Sequence, residues 1–498
     1  MKSAAAGWTW RVFAICWLVY TAFWTPYLLR EHFPAFTLSE SGTLNVEGYL
    51  GWSNDIFRGA RGGAYINNNP GASLTAAVPL VVLRPVLRRV EEWNRTLPRT
   101  GPPLNDPELV GRMVAEGRGF YFLLAAFLCV ALVMAPATAG VAAYLCSRLA
   151  ASGVAPVHAA QAALIYGIGT PVLFRAEHLN HNLLVCNAGF AALLLLWDPR
   201  NSPLTAVRAA GAGLLAGYTV LCDYSGVVVV AVTSLYVWMR SADGRPAERW
   251  KTLAAYAAGA APALVGLILY QAWAFGSFYR PSQHYMAPTA PTVHGYRGMD
   301  WPSPSLLWAN FFDARFGLFA YCPALLLAFG APFVKRVRHR VPPRETAVLL
   351  IYFLLFVLFC AANQYSWLQP LTGFRYLVPV VPALALLALQ TAEALPRGVR
   401  RLLATATCVQ SILMVAGYQN NFPRAVQSLW ERQFQLPWML RLGKLGISLS
   451  PAFPAIFFLL LALAVTAIWR LRVGRERPGN PNNSENTSFF GAGTGAGA

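Results

Sequence analysis

The chain has 498 residues, of which 56% are hydrophobic and only 12% charged, with a formal net charge of +19. A soluble core cannot use that much apolar surface, so the composition excludes a soluble enzyme and indicates a polytopic membrane protein. The Lys and Arg residues sit in short clusters between apolar runs rather than on one face, which reads as membrane topology and not as a nucleic-acid surface.

In chain order, the first apolar run covers roughly residues 8–29 and lacks a small-residue cleavage site, so it reads as a retained span. A long polar stretch follows. Residues 31–89 gather the acids Glu31, Glu47 and Asp55, then Tyr65, Asn67, Asn68, Asn69 and the turn Pro70-Gly71. The short apolar run at residues 72–83 is interrupted by Arg84, Arg88 and Arg89. It cannot cross a bilayer that needs about 20 apolar residues, and an interfacial or re-entrant helix fits it better. Residues 91–118 carry Pro98, Pro102, Pro103 and Pro107 with many charges and belong outside the lipid.

From Phe120 onward apolar runs recur near 120–147, 156–174, 179–197, 206–222, 224–239, 253–274, 316–334, 347–363, 376–392, 401–417 and 451–469. With the first run they make about twelve transmembrane helices in an all-α protein. With the N-terminus cytoplasmic, one side receives Arg148, Arg200 and Arg208, then the basic residues of 240–251, 335–344, 397–401 and 470–477, as the positive-inside rule requires. The expected organisation is one transmembrane domain over 1–469 and a disordered cytoplasmic tail over 470–498. Its two large extracytoplasmic loops cover 30–118, which bears interfacial helices, and 275–315. The tail's sequons at Asn482 and Asn486 are then chance matches. The eight cysteines, Cys16, Cys129, Cys146, Cys186, Cys222, Cys322, Cys360 and Cys408, all fall in apolar runs without Cys-x-x-Cys spacing. They read as small apolar filler, and no metal ligands are assigned to them.

The run GTLNVEGYLGWSNDIFRGARGGAYINNNPGASLTAA resembles the first-loop pattern of a bacterial branch of the GT-C glycosyltransferase superfamily, related to the protein mannosyltransferases. In that pattern two acids eight residues apart, here Glu47 and Asp55, precede a Pro-Gly turn, here residues 65–71. His181 in EHLNHNLL, Asp223-Tyr224, Phe275-Gly276-Ser277, residues 315–319 with Cys322-Pro323, and residues 373–377 with Pro379 and Pro382 resemble later signatures in the same order. The resemblance implies a membrane enzyme that takes a sugar from a polyprenyl-phosphate donor and passes it to a hydroxyl on the extracytoplasmic side, with a first-loop acid as catalytic base. The Lys of the family-like turn is replaced here by Asn68 or Asn69. A catalytically inactive relative therefore stays open.

The same chemistry follows from the residues. Transfer from a lipid phosphate needs a base for the acceptor's proton and a cation for the departing phosphate, both at the headgroup boundary. Asp55 is the first choice of base, Glu47 the second and Glu31 the third. Arg315 and Arg375, each at the outer end of a span, suit a phosphate because a planar guanidinium donates paired hydrogen bonds; anchoring span ends in lipid headgroups is their bland reading. Tyr65, Asn68, Asn69, His181 and Tyr376 complete the expected substrate-binding set. Glu177, His178, Asn180 and His181 form a boundary cluster that lines a cavity or satisfies backbone groups, with a metal-binding His178/His181 pair as the sharper alternative. Asp223 is either an intramembrane acid or part of an outer turn. The expected partners are a polyprenyl-phosphate sugar donor, a hydroxyl-bearing acceptor and the lipid bilayer. No cofactor is fixed, and a divalent cation is left open. A transporter or flippase is the competing class, but no inverted repeat is visible and the polar residues pool in one loop. The location is the cell membrane, a bacterial inner membrane on the resemblance, with both termini cytoplasmic.

Overall fold

A computed structural model describes residues 2–59, 61–97, 108–197, 203–241, 246–369, 375–419 and 421–471. Arg200, the Gly373-Phe374 signature, most of the basic run 470–477 and the tail with its two sequons lie outside the described residues, as do Pro98, Pro102, Pro103 and Pro107.

Helices α1 (Lys2–Ala22) and α2 (His32–Ser41) lead through a 3-10 turn (Glu47–Tyr49) to strands β1 (Ile56–Arg58) and β2 (Ala64–Ile66). Helices α3 (Gly71–Val82), α4 (Arg84–Thr96) and α5 (Glu108–Ala115) follow. Helix α6 (Gly119–Cys129) runs through a π turn at Val130–Met134 into α7 (Ala135–Ala151). Next come α8 (Pro156–Ile168), α9 (Val172–Arg175), α10 (His181–Leu196), α11 (Ala206–Cys222), α12 (Gly226–Arg240) and α13 (Pro246–Phe275). After a second polar loop lie α14 (Pro304–Phe312), α15 (Leu318–Tyr321), a 3-10 segment (Pro323–Phe333), α16 (Lys335–Arg340) and α17 (Pro343–Ala362). The described chain closes with α18 (Val381–Ala392), α19 (Arg397–Gly417), α20 (Phe422–Glu431), α21 (Pro437–Lys444) and α22 (Phe453–Arg470).

Every apolar run expected after residue 119 holds helix. Among the described residues five helices are long and apolar enough to cross a membrane, or six if the bent pair α3–α4 is one span. Helix α1, 21 residues long, is not one of the five, and the other apolar helices are shorter, from 11 to 17 residues, so the expected count of twelve spans is not reached. Helix α1 stops at Ala22, seven residues before the apolar run does. Pro26 explains this, because the residue before a proline is pushed out of helical geometry. The extended chain beyond it is pinned where Thr25 N–H donates to the Glu177 carbonyl (2.7 Å).

The first loop is packed onto the helices. Glu40 on α2 accepts from Tyr49 (2.9 Å), Tyr121 (2.7 Å) and Arg118, and Arg118 also reaches Glu91 on α4 (3.1 Å). The pair α3–α4 bends by 77° around Leu83. Its apolar half, 12 residues long, rises only about 18 Å, less than the roughly 30 Å of a bilayer core. The all-α expectation needs one amendment, the hairpin, which pairs Ile56 with Ile66, Phe57 with Tyr65 and Arg58 with Ala64. Gly62 and Gly63 make the reversal at φ +86° and +74°, and the Asn45 side chain accepts from Ala64 N–H (2.9 Å).

The segments that follow α1 and α17, the start of α10 and the loop after α13 line one polar cavity, described below. The opposite end of α10 collects arginines: Arg148, Arg208 (2.6 Å) and Arg240 (2.5 Å) donate to the carbonyls of Trp197, Leu195 and Leu196 that end α10. On the same side Arg340 (2.6 Å) and Arg336 (3.3 Å) bind Glu393.

Helices α11 and α13 cross at backbone contact. A Cβ on Gly259 would lie 2.0 Å from the Ala210 carbonyl oxygen, and one on Gly213 would lie 2.0 Å from that of Tyr256. Small residues let helices approach this closely in lipid, where packing drives association. Gly259→Val is expected to cost at least about 3 kcal/mol through forced separation. The checking measurement is thermal unfolding of the detergent-purified variant; an unchanged midpoint would contradict the crossing.

Candidate functional site

A cavity of 570 Å³ opens where the first loop meets the helix ends. Its wall includes Glu31, Asp55, His181, Arg315 and Arg375 from the expected set, together with Arg30 and Arg175.

The asparagine run organises the acids. Asn67 donates through its side chain to Asp55 Oδ1 (2.8 Å) and through its backbone N–H to the Asp55 carbonyl (3.1 Å). Asn68 donates to Glu31 Oε1 (2.9 Å) and lies 2.7 Å from His181 Nδ1. Asn69 donates to the Val220 carbonyl (2.7 Å) near the end of α11. Gly71 is needed next, since a Cβ there would lie 2.7 Å from the Leu221 backbone. An amide offers N–H donors to buried carboxylates without adding a charge.

Glu31 is buried, and three groups meet its Oε1: Asn68, His181 Nδ1 at 2.5 Å and Arg30 at 3.4 Å. Oε2 has no hydrogen-bond partner among the described residues. Burial would raise this carboxyl, but the hydrogen bond and charge of His181, with the charge of Arg30, outweigh it and hold Glu31 well below the usual carboxylate range. Asp55 has both oxygens engaged, Oδ1 by Asn67 and Oδ2 by Arg30 (3.0 Å). The His181 ring also faces Asp223, with Nε2 3.6 Å from Oδ2. Asp223 caps the turn between α11 and α12, where it accepts from Ser225 N–H (2.9 Å).

The arginines differ in how they are occupied. Arg315 lines the cavity but is largely exposed and holds Asp313 with two nitrogens, at 3.0 and 2.8 Å. Arg375 donates to Tyr376 Oη (2.8 Å), its guanidinium lies 4.7 Å from that ring's centre, and its Nε has no partner among the described residues. Arg175, 2% exposed, ends α9. One of its nitrogens lies 3.4 Å from His178 Nε2, while Nε and Nη1 have no acceptor among the described residues. Burial pulls its guanidinium down to about 10, opposed by Glu177 and reinforced by Arg375, so it stays charged at neutral pH.

Five expected residues, Glu47, Tyr65, Asn68, Asn69 and Tyr376, lie outside this wall. Glu47 pairs with Arg58 (2.6 Å) on the exposed side of the hairpin. Tyr65 packs edge-on against Phe275 and Trp273, and Asn69 serves the α11 backbone. Tyr376 contributes through Arg375. In the boundary cluster, Asn180 caps α10 by accepting from Leu183 N–H (2.9 Å). His178 and His181 face different partners, Arg175 and Glu31. Among the described residues no group of three His, Cys, Asp or Glu side chains is placed to hold a metal ion.

No protein-family model matches the chain, and no curated protein matches it. Among solved structures, the archaeal oligosaccharyltransferase AglB from Archaeoglobus fulgidus, in complex with an inhibitory peptide and a dolichol-phosphate, is similar at 13% identity and a TM-score of 0.40. The match covers 84% of this chain and 56% of that one. The chain thus spans little more than half the length of that protein, and a likeness this slight carries no argument about activity.

Sequence reasoning missed Arg30, Arg175 and Asn67 as parts of one site. Arg175 did carry a signal, a lone guanidinium directly after an apolar run, which is costly to bury without a purpose. The first residue of α2, His32, adds a consequence for acid stability. Its ring is buried, Nδ1 accepts from Leu29 N–H (3.1 Å), and burial, partly opposed by Glu31, pushes its pKa down to about 4. The unfolded chain then binds a proton the folded chain refuses between the ordinary histidine value and pH 4. The stability is complete above that ordinary value and is lost as pH falls, by about 3 kcal/mol at pH 4. His32→Phe is expected to flatten this part of the unfolding midpoint's pH profile; an unaltered slope would place the acid sensitivity elsewhere.

Proposed function

We propose that the chain is a GT-C-type membrane glycosyltransferase, which moves a sugar from a polyprenyl-phosphate-linked donor to an acceptor hydroxyl at the extracytoplasmic face of a bacterial inner membrane. In this reading the short apolar helices complete twelve spans, the cavity faces outward and both termini are cytoplasmic. The arginines gathered at the far helix ends support that orientation. One observation carries the reading: a 570 Å³ cavity joins a buried carboxylate, Glu31, whose Oε2 has no partner among the described residues, to the guanidinium of Arg375, which no described carboxylate binds.

Glu31 Oε2 takes the proton of the acceptor hydroxyl as that oxygen bonds to the sugar's anomeric carbon. The bond from that carbon to the phosphate oxygen breaks, the electron pair leaves on the phosphate, and Arg375 receives the added charge. Asp55, held by Arg30 and Asn67, positions the acceptor at the cavity wall. Tyr27, Phe316, Tyr365 and Trp367 supply ring faces for the sugar.

In this reading Glu31 rather than Asp55 is the base, because a proton on Oε2 displaces no bond among the described residues. The test is transfer by purified protein in liposomes, from a panel of radiolabelled polyprenyl-phosphate sugars to extracted cell-envelope acceptors. Transfer that Glu31→Gln abolishes supports the reading. Passage of labelled lipid across the bilayer without transfer would support a flippase instead.

A further inference from the structure

We infer that Arg175 is the second guanidinium of the phosphate site, facing the cavity with Arg375 and receiving the non-bridging oxygens of the departing phosphate. This assignment rests on the glycosyltransferase reading and adds a ligand for which that reading has no role.

The inference starts from an imbalance. Arg175 is 2% exposed, yet Nε and Nη1 find no acceptor among the described residues, and no carboxylate there lies within ion-pairing distance of it. A buried charge with unused donors is costly, and a fold keeps one where a ligand satisfies it or where it serves a packing role. The placement decides for a ligand, because Arg175 lines the same cavity as Arg375, whose Nε also has no acceptor among the described residues. Together the two side chains present three guanidinium nitrogens with no acceptor among the described residues.

A phosphoryl group meets that supply. A sugar-bearing phosphodiester carries one negative charge, whereas the monoester left after transfer carries close to two and exposes three non-bridging oxygens. A second guanidinium is therefore used most fully as the leaving group gains charge, which is where binding accelerates the chemical step. The neighbouring groups suit this state. His178 accepts from Arg175 through Nε2 as a neutral ring (3.4 Å), and burial together with the charge of Arg175 keeps its pKa well below the usual histidine value. It fixes the guanidinium without neutralising it.

The shared ligand chemistry is a phosphate monoester, which comes from a lipid headgroup or from free phosphate, so the experiment uses three probes: farnesyl phosphate, inorganic phosphate and farnesol. Thermal unfolding of the full chain in detergent is followed with each probe, for wild type, Arg175→Met, Arg175→Lys and Arg375→Met. Farnesyl phosphate is expected to raise the wild-type midpoint, farnesol and inorganic phosphate to do so much less, and Arg175→Met to weaken farnesyl phosphate roughly tenfold to a hundredfold. Arg175→Lys should recover part of that loss. The ligand-free midpoint of Arg175→Met should equal or exceed wild type, because an unpaired buried charge has been replaced by an apolar chain.

A lowered ligand-free midpoint with an intact farnesyl phosphate response would make Arg175 structural and overturn the inference. An equal response in Arg175→Met and wild type, with Arg375→Met impaired, would overturn it while leaving the glycosyltransferase reading standing. No response of wild type to farnesyl phosphate would overturn both. A response to inorganic phosphate as strong as to farnesyl phosphate would overturn the assignment to a lipid headgroup.

Discussion

Glu31→Gln is expected to lower sugar transfer about 10³-fold while leaving donor binding nearly unchanged, since a general base acts in the transition state. The substitution is close to isosteric. Its carbonyl oxygen can keep the bonds from Asn68, His181 and Arg30, so only the unpartnered oxygen is exchanged for an amide nitrogen. Asp55→Asn should be milder, about tenfold and mostly in the acceptor's apparent affinity, because it loosens Arg30 without removing the proton acceptor. Initial rates with a radiolabelled donor separate the two. If Asp55→Asn abolishes transfer while Glu31→Gln stays within tenfold of wild type, the base is Asp55. If both retain transfer, neither Glu31 nor Asp55 acts as base.

Arg375→Met should lower transfer by about 10²–10³-fold, the usual cost of removing one charge-stabilising donor from a preorganised site. Unlike the Glu31 variant it should also weaken the donor, because a guanidinium meets charge already present in the ground state. Arg315→Met is the contrast. Arg315 is bound by Asp313 through two nitrogens and is largely exposed, so its loss should change transfer by less than about fivefold. Equal defects in the two variants would mean that Asp313 releases Arg315 when the donor binds.

The helical layer was legible because long apolar runs leave a strong compositional trace, and even the bend after α3 was announced by a run too short to cross followed by Arg84 and Arg88. The site was legible in part. Glu31, Asp55, His181 and Arg375 were named and come together at one cavity, whereas Glu47 was favoured by its spacing from Asp55 and faces away. The reason is the hairpin: short strand pairing at Ile56–Arg58 turns the chain so that Asp55 looks inward while Glu47 meets Arg58 outside. Gly62-Gly63 between two short apolar stretches was the available hairpin signal. Asn67 was out of reach, and Arg175 carried only the signal of a lone guanidinium after an apolar run, for another reason. Their importance lies in which partners they have or lack across distant segments, as in the contact of Asn67 with Ser282 and Gln283, whose side chains donate to its carbonyl at 2.9 and 2.8 Å.

The three arginines at the end of α10 also bear on the chemistry at its beginning. The peptide dipoles of a helix add to about half a positive charge at the first turn and half a negative charge at the last. In α10 the positive pole opens at His181 on the cavity wall, and the negative pole, about 24 Å away over 16 residues, is met by Arg148, Arg208 and Arg240. The helix acts as a polarised strut. Guanidiniums neutralise its far pole, leaving the near pole to offset anionic charge at the cavity end, so the electrostatic setting of the proposed phosphate site is supported from the other side of the protein.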